Sequence, residues 1–411
     1  MITEQDRGVL RKLAGRVREI AELPEQVLSK KRLLRHNALD PERPLVLCFP
    51  EEAWGELLPD SVMECREGLA REWEWQLRSR IYRWEKIRDD NAVDPWFDIA
   101  WRIDTGNFGV ESATVHGANR GSYKWDPPLK NPARDISLLR HREPRVDRGA
   151  TAREVDTAGG IFGDILPIRI RGKYWWTMGM TQEVIRLVGL EEFMELMIEQ
   201  PDTVHRLMSW LRDEHMNFIS WFENEGLLSL NNESDSIGSG GSGYTDELPR
   251  SPWKSGEAVR LGDLWGFAES QETVGTSPEM FAEFVLPYQL PILERFGLNC
   301  YGCCEPLDRR MEHLSRVPRL RRVSVSPWAD QEIMAGKLGR RIIFSRKPNP
   351  AAICVSFDES AIRRDIRATL EIAGNGVLEI IMKDTHTVQY QPWRITRWVE
   401  IALEEVGNFK R

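Results

Sequence analysis

The feature that most constrains the fold is an alternation of short apolar segments with amphipathic helical segments, which recurs through most of the chain. Short, continuous apolar runs of this kind are typical of strands buried on both faces of a parallel sheet. The predicted strands cover residues 45–50, 96–101, 227–231, 264–268, 298–302, 322–326, 341–345 and 377–382. Strands separated by helices, without the glycine fingerprint of a nucleotide-binding sheet, predict an α/β fold of the (β/α)8 TIM-barrel type.

Parts of the chain depart from this alternation. Residues 1–44 are predicted to form an N-terminal helical extension, because apolar residues recur there at helical spacing. Residues 45–411 are expected to form the barrel, with long loop insertions at about 104–164 and 232–262. Long insertions of this kind are usually functional lids or disordered segments. The second contains a Gly-Ser run, which we expect to close over the substrate.

Composition and charge narrow the functional classes. The 411 residues include 56 basic and 64 acidic ones, and the net charge of −8 with both signs interspersed argues against nucleic-acid binding. The chain lacks an apolar run of about 18 residues, so we expect no membrane span. The first residues lack the apolar segment of a secretion signal, and the cysteines are too few for a disulfide framework. We therefore expect a cytoplasmic protein.

Three cysteines cluster at the end of a predicted strand, namely Cys300, Cys303 and Cys304. Chemistry in a TIM barrel lies at the carboxyl ends of the strands, which converge in space. Cys303, Cys304, Glu305 and, from the last strand end, His386 are therefore candidate ligands of a zinc ion, which binds S, N and O donors tetrahedrally. Alternatively, only one of the two adjacent cysteines faces the site. Cys300 is expected in the core, although its C-x-x-C spacing to Cys303 also allows a redox disulfide.

Further polar residues stand at predicted strand ends. Glu233, Asp384 and His386 are candidate catalytic residues, because a carboxylate can act as base and a histidine as general acid. The candidate substrate-binding residues are Asn232, Trp328, Arg346 and Lys347. The two cations suit an anionic substrate or cofactor tail, and a solvated loop end is the alternative interpretation.

Several features follow one another in a set order along the chain. A basic helix, residues 30–37, leads to Arg43-Pro44 and the first strand; residues 298–304 form a strand that ends in cysteines; and the final strand turns at residues 384–387 ahead of a helix led by Pro392. In this order they resemble the uroporphyrinogen decarboxylase superfamily. The cysteine-bearing strand is similar to one that ends in His-x-Cys-Gly in the corrinoid-dependent methyltransferase branch of that superfamily.

The resemblance implies a TIM barrel and, in the methyltransferase branch, a Zn²⁺ ion held by His and Cys ligands. The zinc would activate a thiol or assist a leaving oxygen while a methyl group moves between a corrinoid (methylcobalamin-type) partner protein and a thiol or small methoxylated substrate. Tyr301 stands where the branch has its histidine, and His386 replaces the cysteine of the final strand. The expected ligand set is therefore rearranged to Cys303 or Cys304, His386 and a glutamate.

Other functional classes remain as alternatives. One is a metal-independent lyase like uroporphyrinogen decarboxylase, which would use paired arginines near the N-terminus. Arg32 and Arg35 lie in that region but without an Arg-x-x-x-Arg spacing. Another is a barrel that binds a ligand without catalysis. A homodimer is an open alternative for the assembly.

Overall fold

The computed structural model describes residues 2–66, 68–116, 123–250, 253–254 and 256–410. Eight strands, six in one parallel sheet and two in a separate parallel pair, organise this part of the chain. They are β1 (Leu45–Cys48), β2 (Phe97–Ile99), β3 (Ile168–Ile170), β4 (Trp265–Ala268), β5 (Leu298–Tyr301), β6 (Leu320–Val325), β7 (Ile343–Arg346) and β8 (Leu378–Met382).

The strand order confirms a TIM-barrel-like α/β fold. One parallel sheet runs β1-β8-β7-β6-β5-β4, and β2 pairs in parallel with β3. The first strand lies beside the last, with Leu45 opposite Glu379 and Cys48 opposite Met382. Closure of a barrel requires this pairing of first and last strands, whereas an open doubly wound sheet does not.

Helices cover the outside of the strands. The longer ones are α1 (Glu4–Ala21), α2 (Pro24–Asn37), α3 (Gly68–Tyr82), α4 (Arg148–Phe162), α5 (Thr181–Val188), α6 (Leu190–Glu199), α7 (Pro201–Asn224), α8 (Pro278–Phe284), α9 (Leu286–Leu293), α10 (Gln331–Leu338), α11 (Glu359–Ala373) and α12 (Trp393–Asn408). Single-turn helices span Trp54–Leu57, Pro132–Asp135, Met311–Leu314 and Ala351–Cys354. No helix in the described ranges is both long and apolar enough to cross a bilayer.

The last strand shows how the sequence forms these layers. Every residue of β8 is buried, and Leu378, Ile380 and Met382 join the main hydrophobic core between strands and helices. Burying an aliphatic side chain contributes about 1.5–3 kcal/mol. The alternate residues Glu379 and Ile381 point into the barrel lumen, because successive side chains of a strand face opposite sides.

The predicted strand at residues 227–231 is wrong, and β3 is a strand that the sequence pattern missed. The side chain of Asn231 donates to the Trp265 carbonyl at 3.0 Å and accepts from the Trp265 N–H at 2.9 Å. The Asn231 side chain thus makes the hydrogen bonds to the Trp265 backbone that a neighbouring strand was expected to make. An apolar run alone does not distinguish a strand from a buried connection.

The N-terminal extension and the long insertions that were predicted from the sequence are partly helical. Within residues 1–44, α1 packs on α3 and α4, and α2 ends at Asn37, whose amide donates to the Ser242 and Tyr244 carbonyls. Residues 104–164 contain α4 and two short antiparallel strand pairs. The expected insertions also include residues 117–122, 251, 252 and 255, which lie outside the described residues.

Candidate active site at the carboxyl end of the barrel

A buried Gly-Ser stretch occupies the barrel lumen, and we name residues 237–243 the lumen segment. Gly240 lies against Ile381 of β8, and Gly241 lies against the Arg322 guanidinium of β6. A Cβ atom at Gly241 would lie 2.5 Å from Arg322 Cζ, and Gly240 has a φ of 90°, so both positions require glycine. The run that was expected to close over the substrate therefore packs inside the barrel.

The lumen segment brings Ser239 to the carboxyl ends of β5 and β8. Lys383, which directly follows β8, donates to Ser239 Oγ at 3.0 Å, and its Nζ lies 3.5 Å from Cys303 Sγ. The Ser239 hydroxyl also contacts Cys303 Sγ at 3.4 Å. All three side chains are buried, so solvent ions screen their interaction only weakly.

Other polar groups complete a ring around the Lys383 ammonium, which we name the thiolate ring (Glu51, Ser239, Cys303, Cys304, Lys383 and Asp384). Cys304 Sγ lies 3.5 Å from Cys303 Sγ and 3.4 Å from Asp384 Oδ2. Asp384 Oδ1 is 3.2 Å and Glu51 Oε1 is 3.9 Å from Lys383 Nζ. The ring thus places one cation among several groups that carry or can carry negative charge.

The charges in the ring favour a thiolate at Cys303. The hydrogen bond with Cys304, the Lys383 ammonium and the Ser239 hydroxyl outweigh burial and lower the pKa of Cys303 to about 7. The hydrogen bond to Cys303, followed by burial, raises the pKa of Cys304, which therefore keeps its proton. Although burial opposes it, the negative charge of Cys303 raises the pKa of Lys383. The arrangement therefore favours a buried thiolate–ammonium pair above pH 7.

A second polar cluster lies deeper in the lumen. Arg322 Nε donates to Glu379 Oε1 at 2.8 Å, and the Ser345 hydroxyl donates to the same oxygen at 2.5 Å. Lys347 Nζ donates to Ser345 Oγ at 2.5 Å, and His36 Nε2 lies 3.4 Å from Glu379 Oε2. Burial lowers the pKa of Lys347 to about 7. Of the predicted substrate-binding residues, Lys347 is the one in this cluster.

Glu305 holds the backbone next to the ring instead of facing it. Its Oε2 accepts the Cys303 N–H at 2.9 Å, and its Oε1 accepts the Ser270 N–H at 2.8 Å. The carboxyl group is fully buried, and burial raises its pKa. Glu305 is therefore a positioning residue for Cys303 in this structure, whereas the sequence predicted a metal ligand.

His386 does not reach the cysteines. Its side chain is 66% exposed, and Nδ1 lies 3.2 Å from Glu52 Oε2. Asp384 has a φ of 55°, a left-handed conformation that redirects the chain just after β8. Lys383, which precedes this turn, faces the lumen, whereas His386, which follows it, faces solvent.

Of the four predicted zinc ligands, the structure brings Cys303 and Cys304 together, whereas Glu305 and His386 make other contacts. The described residues contain no group of three or more His, Cys, Asp or Glu side chains that could hold a metal ion. The position between Cys303, Ser239 and Asp384 is taken by Lys383 Nζ. A zinc ion there would meet an ammonium whose pKa is raised, so the residues present do not fit the predicted site.

The remaining predicted site residues make contacts outside the thiolate ring. Glu233 Oε2 accepts from Arg169 of β3 at 2.6 Å, and Asn232 donates to the Leu248 carbonyl at 2.7 Å. Trp328 is 69% exposed. Arg346 is buried outside the lumen, where it donates to the carbonyls of Ser326 and Lys347, each at 2.9 Å.

A cavity of about 150 Å³ opens beside the lumen segment. Its aromatic lining consists of Tyr174, Trp175, Trp176, Trp265 and Phe267. Lys173 and Asp235 add charges, and Gly238 forms part of the wall next to Ser239 of the thiolate ring. None of the six thiolate-ring residues lines this cavity, and the chain connects the two features through the adjacent residues Gly238 and Ser239.

Sequence reasoning did not select Lys383 or Ser239 as site residues. The signal for Lys383 is the strand period, because Glu379, Ile381 and Lys383 are alternate residues on the lumen face. Ser239 had no comparable signal, since a Gly-Ser run is typical of a flexible connection.

Comparisons with known proteins identify a shared fold. No family model matches the chain, and no curated protein matches it. A solved structure described as a methyltransferase from Methanosarcina mazei aligns with a TM-score of 0.51, over 92% of this chain and 98% of that chain, at 11% sequence identity. At this identity the likeness shows a common fold across nearly the whole length.

Proposed function

We propose that this chain is a methyltransferase whose own nucleophile is the Cys303 thiolate. The observation that carries the proposal is the 3.5 Å contact between Cys303 Sγ and Lys383 Nζ at the carboxyl end of the barrel. A thiolate with a pKa near ambient pH combines a high ionised fraction with good nucleophilicity. The fold shared with the Methanosarcina mazei methyltransferase supports this reaction class by analogy.

The proposed transfer has two half-reactions. Cys303 Sγ first attacks the methyl carbon of a donor, so an S–C bond forms while the bond to the donor breaks and its electron pair stays with the donor. A nucleophile of the acceptor then attacks the same carbon, and the S–C electron pair returns to Cys303 as a thiolate. The Lys383 ammonium and the Ser239 hydroxyl stabilise that thiolate as it leaves. In this proposal Lys383 supplies the positive charge next to the thiolate, a role that the sequence predicted for zinc.

The two substrates follow from different observations. A methylated corrinoid on a partner protein is our proposed donor, which rests on the family resemblance. The aromatic walls of the cavity favour a small aromatic second substrate, and Lys173 and Asp235 offer it one charge of each sign.

Free methylcobalamin is a suitable probe of the first half-reaction. After incubation with it, the peptide that contains Cys303 should become heavier by one methylene group, and demethylated cobalamin should appear at the same rate. Lys383→Met should slow both signals at pH 7 by about tenfold or more, because loss of the cation raises the pKa of Cys303. Cys354→Ser removes a half-buried cysteine of a single-turn helix and should leave them unchanged.

Two results would contradict the proposal. One is an unmodified Cys303 peptide while a small thiol is methylated equally fast by the wild type and by Cys303→Ser. The other is methylation spread over several cysteines with no preference for Cys303, which would indicate ordinary alkylation.

A further inference from the structure

A charged cleft lies at the opposite end of the barrel from the thiolate ring. It has a volume of about 340 Å³ and is lined by Leu298 and Leu320, the first residues of β5 and β6. Four arginines are among its lining residues, namely Arg250, Arg319, Arg321 and Arg341, and we name it the arginine cleft. Because the cleft is formed by strand starts, it is separate from the site at the strand ends.

The charges around the cleft are not balanced. Four arginines and one glutamate, Glu247, line it within the described part of the chain, which gives a net charge of +3. Glu247 is already occupied, since Arg321 Nη2 donates to its Oε2 at 2.8 Å and Arg321 Nη1 to its Oε1 at 2.5 Å. The excess of positive charge stands out on a chain whose net charge is −8.

Two of these guanidiniums are held by neutral groups. Arg250 Nη2 donates to the Gly297 carbonyl at 3.1 Å, and Arg319 Nε donates to the Phe296 carbonyl at 2.9 Å. Carbonyl oxygens fix the orientation of a guanidinium but carry no net charge that would neutralise it. Each guanidinium has five N–H donors, so Arg250 retains donors for a ligand.

The same two arginines lie close enough to repel each other. Burial lowers the pKa of Arg319, and the Arg250 cation lowers it further, while Glu294 partly offsets both effects. Arg319 also has a φ of 50°, a left-handed conformation that is uncommon for residues other than glycine. Like charges held together by a strained backbone in a concave surface are a suitable arrangement for binding an anion.

We propose that the arginine cleft binds a small anion that carries two or more oxyanion groups, either phosphates or carboxylates. Guanidinium groups bind such oxygens in pairs, with planar geometry. The concave shape and the limited volume favour a small molecule over a nucleic-acid backbone or a membrane surface. The proposal concerns a second site and does not rest on the proposed methyl transfer.

Calorimetric titration of the full chain at constant ionic strength tests this site, with inorganic pyrophosphate and citrate as probes. We expect saturable binding of at least one of them at one site per chain, and the stronger probe identifies phosphate or carboxylate as the preferred group. Arg341→Glu should weaken that binding by about tenfold or more, because it removes a charge-assisted contact and adds repulsion. Arg340→Glu is the matched control, since it makes the same charge change on an adjacent residue that does not line the cleft.

The outcomes separate clearly. Equal weakening by both variants would show non-specific attraction to net charge and would overturn the proposal, as would the absence of saturable binding of either probe. Binding restricted to duplex nucleic acid or to anionic vesicles would also overturn it. Thermal melting of each variant, followed by circular dichroism, separates a loss of binding from a loss of folding. A second variant, Arg250→Gln, should also weaken binding if Arg341→Glu fails to fold.

Discussion

The Nζ atom of Lys383 lies 3.5 Å from the Sγ atom of Cys303, although 80 residues separate them along the chain. The Lys383 side chain is 8% exposed and Cys303 is 3% exposed. An ammonium beside a thiolate in a buried setting stabilises the thiolate far more than it would in water. Residues of the chain itself therefore tune the reactivity of this thiol.

Lys383→Met should move the pH profile of Cys303 alkylation upward. With a pKa of about 7, the Cys303 thiol is largely protonated below pH 7 and ionised above it, so the wild-type rate with iodoacetamide should rise through pH 7. Loss of the ammonium raises the pKa of the thiol, and each unit lowers the rate at pH 7 by about tenfold. Mass spectrometry of the Cys303 peptide measures the rate. Lys383→Arg should retain most of the reactivity, and an unchanged midpoint in Lys383→Met would contradict the pairing.

Zinc content should depend on Lys383. We expect the purified wild type to hold less than one zinc per chain, and Lys383→Ala to bind zinc about tenfold or more tightly than the wild type, because the ammonium no longer repels a cation beside Cys303, Cys304 and Asp384. Elemental analysis and competition with a zinc-binding dye measure both quantities. One zinc per wild-type chain that disappears in a Cys303→Ser, Cys304→Ser double variant would restore the metal site predicted from sequence.

Two glycine-to-alanine substitutions should have opposite effects on stability. Gly241→Ala places a Cβ 2.5 Å from Arg322 Cζ and should lower the free energy of unfolding by about 1–3 kcal/mol. Gly336→Ala lies within α10 with no neighbouring atom inside 4 Å, and should raise it by up to about 1 kcal/mol. Urea unfolding measures both. Equal effects would mean that the lumen segment packs loosely.

Glu379→Gln should be strongly destabilising. It leaves the buried Arg322 without its counter-charge, which costs about 3–5 kcal/mol. Glu312→Gln, which disrupts an exposed pair with Lys337, should cost less than about 1 kcal/mol. Thermal melting of both variants distinguishes these values, and a similar loss in each would contradict the buried pair.

The same carboxylate gives a pH dependence with a definite sign. Despite burial, the Arg322 charge lowers the pKa of Glu379 below its ordinary value of 4.5. Its contribution to stability is therefore complete above pH 4.5 and decreases as the pH falls through the lower folded-state pKa. The difference in melting temperature between the wild type and Glu379→Gln should shrink at acid pH. A difference that grows with acid would show the opposite shift in pKa.

The sequence predicted the barrel because its strands are short, apolar and regularly spaced. Strands β4 to β8 lie within one or two residues of their predicted positions, since each is bounded by a helix or a turn. β3 escaped prediction because Arg169 occupies its centre, and that residue is satisfied by Asp98 of β2, a contact between distant parts of the chain. The local sequence pattern around Arg169 does not reveal that Asp98 is its partner.

Site residues were harder to predict for a related reason. His386 was selected because it follows a strand, but the left-handed Asp384 turns it toward solvent. Cys303 lies in the thiolate ring, and its partners Ser239 and Lys383 come from segments 64 and 80 residues away. These contacts depend on how side chains from distant segments pack in the lumen. Local sequence patterns carry no information about that packing.

The position of the lumen segment has a consequence for the reactivity of Cys303 during refolding. Ser239 contacts Cys303 and Lys383 only when residues 237–243 lie in the lumen, next to Phe49, Arg322 of β6 and Ile381 of β8. A chain in which this segment is not packed in the lumen lacks the contact between Ser239 and Cys303, so its Cys303 thiol should be less reactive. The alkylation rate of Cys303 would therefore report whether the lumen segment is in place, in a refolding experiment or in a cell extract.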